Sequence, residues 1–223
     1  MRKLNDQAVK DFTSFVVKNG GYANIDRQVL IDYAYGIATK YGEASAALSA
    51  EMYDAVATLQ RAAIPAAIPA ESVTYEKVCK TVNGIIKNTA SQEILVQSVG
   101  LLVKDSGQKT TIENAKRDNA EIAFINDGDA CAFCVMLASK GWRKASTYEL
   151  DSDGEPAHLH ANCGCTYGVR FNPKLDYSGY KPEQYQKMYY GADLEGEEPT
   201  AKNRLNALRR ELNRRNTDNE SEE

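Results

Sequence analysis

Of the seven cysteine and histidine residues in the chain, six fall between positions 131 and 165: Cys131, Cys134, His158, His160, Cys163 and Cys165. Thiols gathered this closely must share a metal ion, pair as disulfides or be buried apart, so this window constrains the fold more than any other feature. The order is Cys-x-x-Cys, a long insertion, then His-x-x-Cys-x-Cys. The opening Met1-Arg2-Lys3-Leu4-Asn5-Asp6 is not followed by the apolar segment of a secretory leader, which points to a reducing cytoplasm. In that compartment the spacing favours zinc over disulfides. Cys131 and Cys134 can bend round one ion at the entrance to a helix expected over 135–140, whose amide dipoles help hold thiolates deprotonated.

Zinc takes four such ligands in a tetrahedron. The second pair must come from His160, Cys163 and Cys165. A shell of four cysteines and a shell of three cysteines with one histidine both remain open. The ligand candidates for a structural zinc are therefore Cys131, Cys134, His160, Cys163 and Cys165. His158 is read as a surface residue or one lying behind the ligands, and Cys79, beside Val78 and Val82, as an ordinary core cysteine.

Catalytic readings of the same residues fit less well. A thioredoxin-type Cys-x-x-Cys should close a strand of a βαβ unit, whereas the preceding hundred residues read as helix. A zinc deaminase needs a His-x-Glu ahead of its cysteines, and none precedes Cys131. A nuclease on a treble-clef-like zinc scaffold needs a histidine general base beside its ligands; His158 is the candidate, with Asp127, Asp129 and Glu149 as acids. The plainer reading of Asn126-Asp127-Gly128-Asp129 is a turn that delivers Cys131 to its place.

Three regions surround and include this window. Residues 1–118 are expected to be helical. Apolar positions recur at spacings of three and four from Ile25 to Leu59, and a shorter helix runs from Asp6 to Lys18 up to Gly20-Gly21. The small-residue face of Ala44, Ala46, Ala47 and Ala50 suits close approach of a second helix. Ile64-Pro65-Ala66-Ala67-Ile68-Pro69 interrupts the pattern, since each proline lacks a backbone donor, and is read as an elbow near 64–70. Helices are expected over 72–87 and 91–104, with a third opening at a Thr110–Glu113 capping box. Residues 119–173 form the Cys/His module, with strands over 120–125 and 166–171. Residues 174–223 form a polar tail with helices over 182–190 and 201–216 and a disordered end over 217–223. The fold class is thus mainly α, with a small zinc-stabilised α+β module and a helical, partly disordered tail.

Within the tail, Leu205, Leu208 and Leu212 make a narrow apolar stripe expected to face a partner. Lys202, Arg204, Arg209, Arg210, Arg214 and Arg215 make the other faces basic, suited to DNA phosphates or to an acidic protein surface. A formal net charge of −4 and a pI near 5.4 favour the protein partner. No stretch approaches the roughly 20 apolar residues of a membrane span.

The run from Asp127 to Gly141, Asp-Gly-Asp-Ala-Cys-Ala-Phe-Cys-Val-Met-Leu-Ala-Ser-Lys-Gly, and the run from Pro156 to Cys165, Pro-Ala-His-Leu-His-Ala-Asn-Cys-Gly-Cys, resemble the phage Mu protein F-like minor head proteins of tailed bacteriophages. The resemblance covers roughly residues 110–172, with Ala161 standing where many such sequences have proline. It implies a structural minor capsid protein with no catalytic residues of its own. Such a protein would be made in the host cytoplasm and assembled into the virion near the portal. There it would contact portal or major capsid protein and act in head morphogenesis or DNA delivery. By motif position, Cys131, Cys134, His160 and one or both of Cys163 and Cys165 would carry the module. A phage-encoded nuclease or toxin on the same zinc scaffold is the enzymatic alternative.

Overall fold

The computed structural model describes residues 2–89, 91–126, 130–148, 165–175 and 177–220, with backbone alone for 215–220. Helix α1 (Arg2–Lys18) ends where Gly20 and Gly21 take φ of 75° and 103°, conformations that glycine adopts without strain. Their amides donate to Val17 O and Val16 O, which satisfies two of the last helical carbonyls. Helix α2 (Arg27–Leu59) starts at Asp26, whose carboxylate accepts from the amides of Gln28 and Val29. Thr74 and Ser91 cap α3 (Tyr75–Asn88) and α4 (Gln92–Arg117) in the same way.

Helices α2 and α4 lie side by side and run in the same direction, Gly42 against Ser106 and Tyr53 against Asp118. The contact face of α2 is built of small residues, with Gly42, Ser45, Ala46, Ser49 and Ala50 all buried. A Cβ on Gly42 would come within 2.9 Å of the Ser106 hydroxyl, so the close approach depends on glycine. Ala44 and Ala47 face solvent, so only half of the alanine-rich face makes the contact. Phe12 and Val16 of α1, Leu30 and Ile31 of α2, Val78 and Val82 of α3 and Leu95 and Val99 of α4 close the first core.

The chain between α2 and α3 is an extended strap. It runs back along α4, held by side chains instead of by a strand ladder. Asn114 accepts from Ile68 N at 2.9 Å and donates to Ile68 O at 2.8 Å. Thr110 accepts from Ala70 N and Asp54 from Ala67 N, while Arg117 donates to the carbonyls of Pro65 and Ala66.

Past α4 the chain forms β1 (Glu121–Ile125), α5 (Ala132–Ala138), β2 (Arg143–Lys144) and β3 (Thr166–Arg170). The antiparallel sheet has the order β2-β1-β3, with Glu121 opposite Arg170 and Ile125 opposite Thr166. Arg170 makes two hydrogen bonds to Glu121 Oε2, at 2.7 and 3.0 Å, and lies over the Trp142 ring. Tyr53, Ile112 and Ala115 of the long helices share one apolar cluster with Ile122, Phe124, Cys134, Leu137, Cys165 and Val169. Helices α6 (Pro182–Gly191) and α7 (Ala201–Glu220) cover the outer side of α5.

Three expectations are corrected. The break between Lys104 and Thr110 is absent, and α4 is one helix of 26 residues. Thr110 caps nothing; its hydroxyl donates to Ser106 O and accepts from the strap, so tertiary contact overrides the local capping signal. The short helix begins at Ala132 instead of Val135, because Cys131 serves as its N-cap. Helix α7 reaches Glu220, so 217–220 are helical, while 221–223 lie outside the described residues.

Asn114→Ala should destabilise the fold by about 1–2 kcal/mol in urea titration, since it removes both part-buried hydrogen bonds that hold the Ile68 main chain on α4. Gly100→Ala would drive a Cβ to 2.6 Å from Val9 and should cost about 1–3 kcal/mol while loosening α1. Arg117, and after it Tyr53, hold the Asp118 carboxyl below its ordinary range. Its contribution is complete above the ordinary carboxylate pKa of about 4 and is lost as pH falls through the lowered value. The stability gap between the native chain and Asp118→Asn should therefore shrink below about pH 4.

Candidate metal centre

Cys131 immediately precedes α5 with extended backbone, and its Sγ accepts from the Cys134 amide at 3.5 Å. The two sulfurs are 3.5 Å apart. That is far beyond the roughly 2.0 Å of a disulfide. It is close to the edge of about 3.8 Å that a tetrahedron with Zn–S bonds of about 2.3 Å requires. The Cys134 amide N–H points at the Cys131 sulfur from the first turn of α5. The described half of the ligand set therefore fits a zinc ion.

Cys165 lies at the start of β3 with 1% exposure, in the same apolar cluster as Cys134. It is near enough to Tyr185 to add to the raised phenol pKa, which burial chiefly causes. His160 and Cys163 lie outside the described residues, as do His158, Asp127, Asp129 and Glu149. The structure thus brings Cys131, Cys134 and Cys165 into one core. Among the described residues no three His, Cys, Asp or Glu side chains are grouped to hold an ion. Cys79 is half-buried on α3 against the first core, as expected of a packing residue.

The far end of α5 is held by residues that sequence reasoning missed. Tyr180 donates to Ala138 O at 2.7 Å, and Gln186 donates to Ser139 O at 3.1 Å. These bonds satisfy carbonyls that a seven-residue helix leaves open. Burial pushes the Tyr180 phenol far above its usual range, so it stays a donor at any working pH. Tyrosines spaced along a polar tail carried no local signal for this role.

The tail corrects another expectation. Leu205, Leu208 and Leu212 pack against Ala132 and Val135 of α5 and Tyr189 of α6, within the same chain, and so do not face a partner. A helix as short as α5 cannot bury its own outer face, and α7 supplies the cover. Arg214 pairs with Glu195 at 3.0 Å, and Arg210 approaches Glu195 and Glu197 at 3.7 and 3.9 Å. Arg204 lies over Tyr190, while Lys202 and Arg209 are exposed.

A helical region whose α2 and α4 share one core with a small sheet, with a cysteine-capped helix packed on that sheet, defines the class of this protein. The VG15 protein family model matches residues 1–192, from α1 through α6, and the chain belongs to that family of phage gene products. No curated protein and no solved structure matches the chain. No helix among the described residues is long and apolar enough to cross a membrane.

Chain purified without chelator should carry about one zinc per molecule by metal analysis. Cys131→Ser should release it and unfold the module while the far-ultraviolet helical signal largely persists. Metal-free protein with intact native thermal stability would refute the zinc assignment.

Proposed function

We propose that this chain is a structural minor head protein of a tailed phage. In this reading it is built into the virion next to the portal or the major capsid protein and acts in head assembly or DNA delivery. The observation that carries the reading is the unity of the two regions. One family match spans them, and Tyr53, Ile112 and Ala115 share a core with the cysteine-bearing sheet. A scaffold built this way transmits position from one end to the other, which suits an assembly part. The motif likeness to Mu protein F-like minor head proteins supplies the head context. Structural zinc held by Cys131, Cys134 and two of His160, Cys163 and Cys165 would fix α5 against the sheet. Such sites add folding free energy on the order of 10 kcal/mol in isolated zinc peptides.

The nuclease alternative needs His158 and the acids Asp127, Asp129 and Glu149 to work beside the metal. Purified holoprotein that cleaves DNA with added divalent metal, and loses cleavage on His158→Ala, would replace the structural reading. The direct test is incorporation. Procapsids assembled with the full chain should contain it in stable association with portal or capsid protein. A chain lacking residues 1–60 should be excluded, and its normal incorporation would overturn the assignment of the helical region as the contact surface.

A further inference from the structure

Helix α7 reaches its place through a largely exposed linker, residues 193–200, that follows α6. Among the described side chains of α7 only Ala207 and Leu208 are buried. They share one apolar cluster with Ala132 and Val135 of α5, Tyr189 of α6 and Ala192 just past it, so these four residues form the seat of the helix. The seat lies on the outer side of α5, and α7 is the layer that covers it.

The turn that folds α7 back is strained where the seat is not. Glu195 has φ of 51°, in the left-handed region that side chains disfavour, and Gly196 follows at 85°. Opposite this turn the second half of α7 stands off the linker. A cleft of about 260 Å³ separates Asp193 and Glu195 from Arg210, Glu211 and Arg214. Arg210 Nη2 is buried with no hydrogen-bond partner, which disfavours the closed arrangement. The ion pairs that Arg210 and Arg214 make with Glu195 and Glu197 join partly exposed side chains and contribute little. The favourable contacts of α7 therefore lie in the seat, and the unfavourable ones in the turn.

We infer that the seat on α5 and α6 is an interface between copies of this chain, in which α7 of one copy fills the seat of a second and the reverse exchange closes a two-fold pair. The occupant is a second copy because α7 itself shows the fit. Exchange keeps Ala207 and Leu208 in the same apolar company and releases the left-handed turn, the condition under which a terminal element swaps. Fully extended, residues 193–200 reach about 26 Å, so the arm can leave its own seat for a neighbour's. Within one chain the linker holds α7 at an effective concentration of about millimolar. The closed form described above therefore prevails in dilute solution, and exchange sets in where copies are gathered closely.

The test uses the full chain in sedimentation and hydrogen exchange. Gly196→Pro forbids the positive φ at an exposed position where an added Cβ meets nothing within 4 Å, so it opens the turn without touching a core. This variant should dimerise at least tenfold more tightly than the native chain, with the α7 amides still protected in the dimer. Adding Leu208→Asp should return it to monomer. The native chain should begin to dimerise near about millimolar concentration, and Leu208→Asp should remove that dimer too. A Gly196→Pro chain that stays monomeric would overturn the inference, whether α7 keeps its protection or loses it. Dimers that survive Leu208→Asp would overturn it as well, since another surface would then hold the copies together. None of these readouts depends on zinc or on procapsid incorporation, so they can fail separately from the head-protein reading.

Discussion

The contact between α2 and α4 is the constraint on which the remainder rests. Gly42, Ser45, Ala46, Ser49 and Ala50 let the two longest helices of the N-terminal region approach closely, with Gly42 nearly touching Ser106. That proximity buries a run of α4 residues as polar as Gln108, Thr110, Thr111 and Asn114. Buried polar groups are tolerated when they are satisfied. Here Thr110 and Asn114 are satisfied by the strap, so the polar middle of α4 becomes the grip for the segment joining α2 to α3. The same helix pair then carries Tyr53 and Ile112 into the core of the sheet.

The small module depends on support from all sides. A three-stranded sheet with a two-residue edge strand and a seven-residue helix cannot enclose a core alone. α4 closes one side, α6 and α7 close another, and the paired thiols of Cys131 and Cys134 fix the start of α5. Zinc in the proposed role would tie that start to the far end of the cysteine motif. Tyr180 and Gln186 hold the opposite end of α5 without any metal.

Much of this is legible in sequence because it follows local rules. The periodicities around Leu30 and Ile37 give α2, the alternation from Thr166 gives β3, and Gly20-Gly21 gives the end of α1. Three of the five expected metal ligands come together in one core, while His160 and Cys163 fall outside the described residues. What sequence misses is set by distant partners. The Asp105-Ser106-Gly107 stretch reads as a break, yet stays helical because α2 packs on it. The leucine stripe of α7 looks like a docking face, and only the exposed side of a short α5, some seventy residues earlier, explains it.

The strap has a consequence for how the chain tolerates change in length. Its contacts on α4 fall at Thr110, Asn114 and Arg117, which span about 10 Å of helix. The partners, from Ala70 back to Ala66, span about 13 Å of extended chain. Two rulers of different pitch are thus matched at a few marks. Exposed positions such as Ile68 can vary in side chain, because there only main-chain atoms are gripped, whereas Ile64 and Ala67 also pack on the second core. Inserting or deleting a single residue there would throw every mark out of step at once, so the interval between α2 and α3 is fixed in count while free in composition only at its exposed positions.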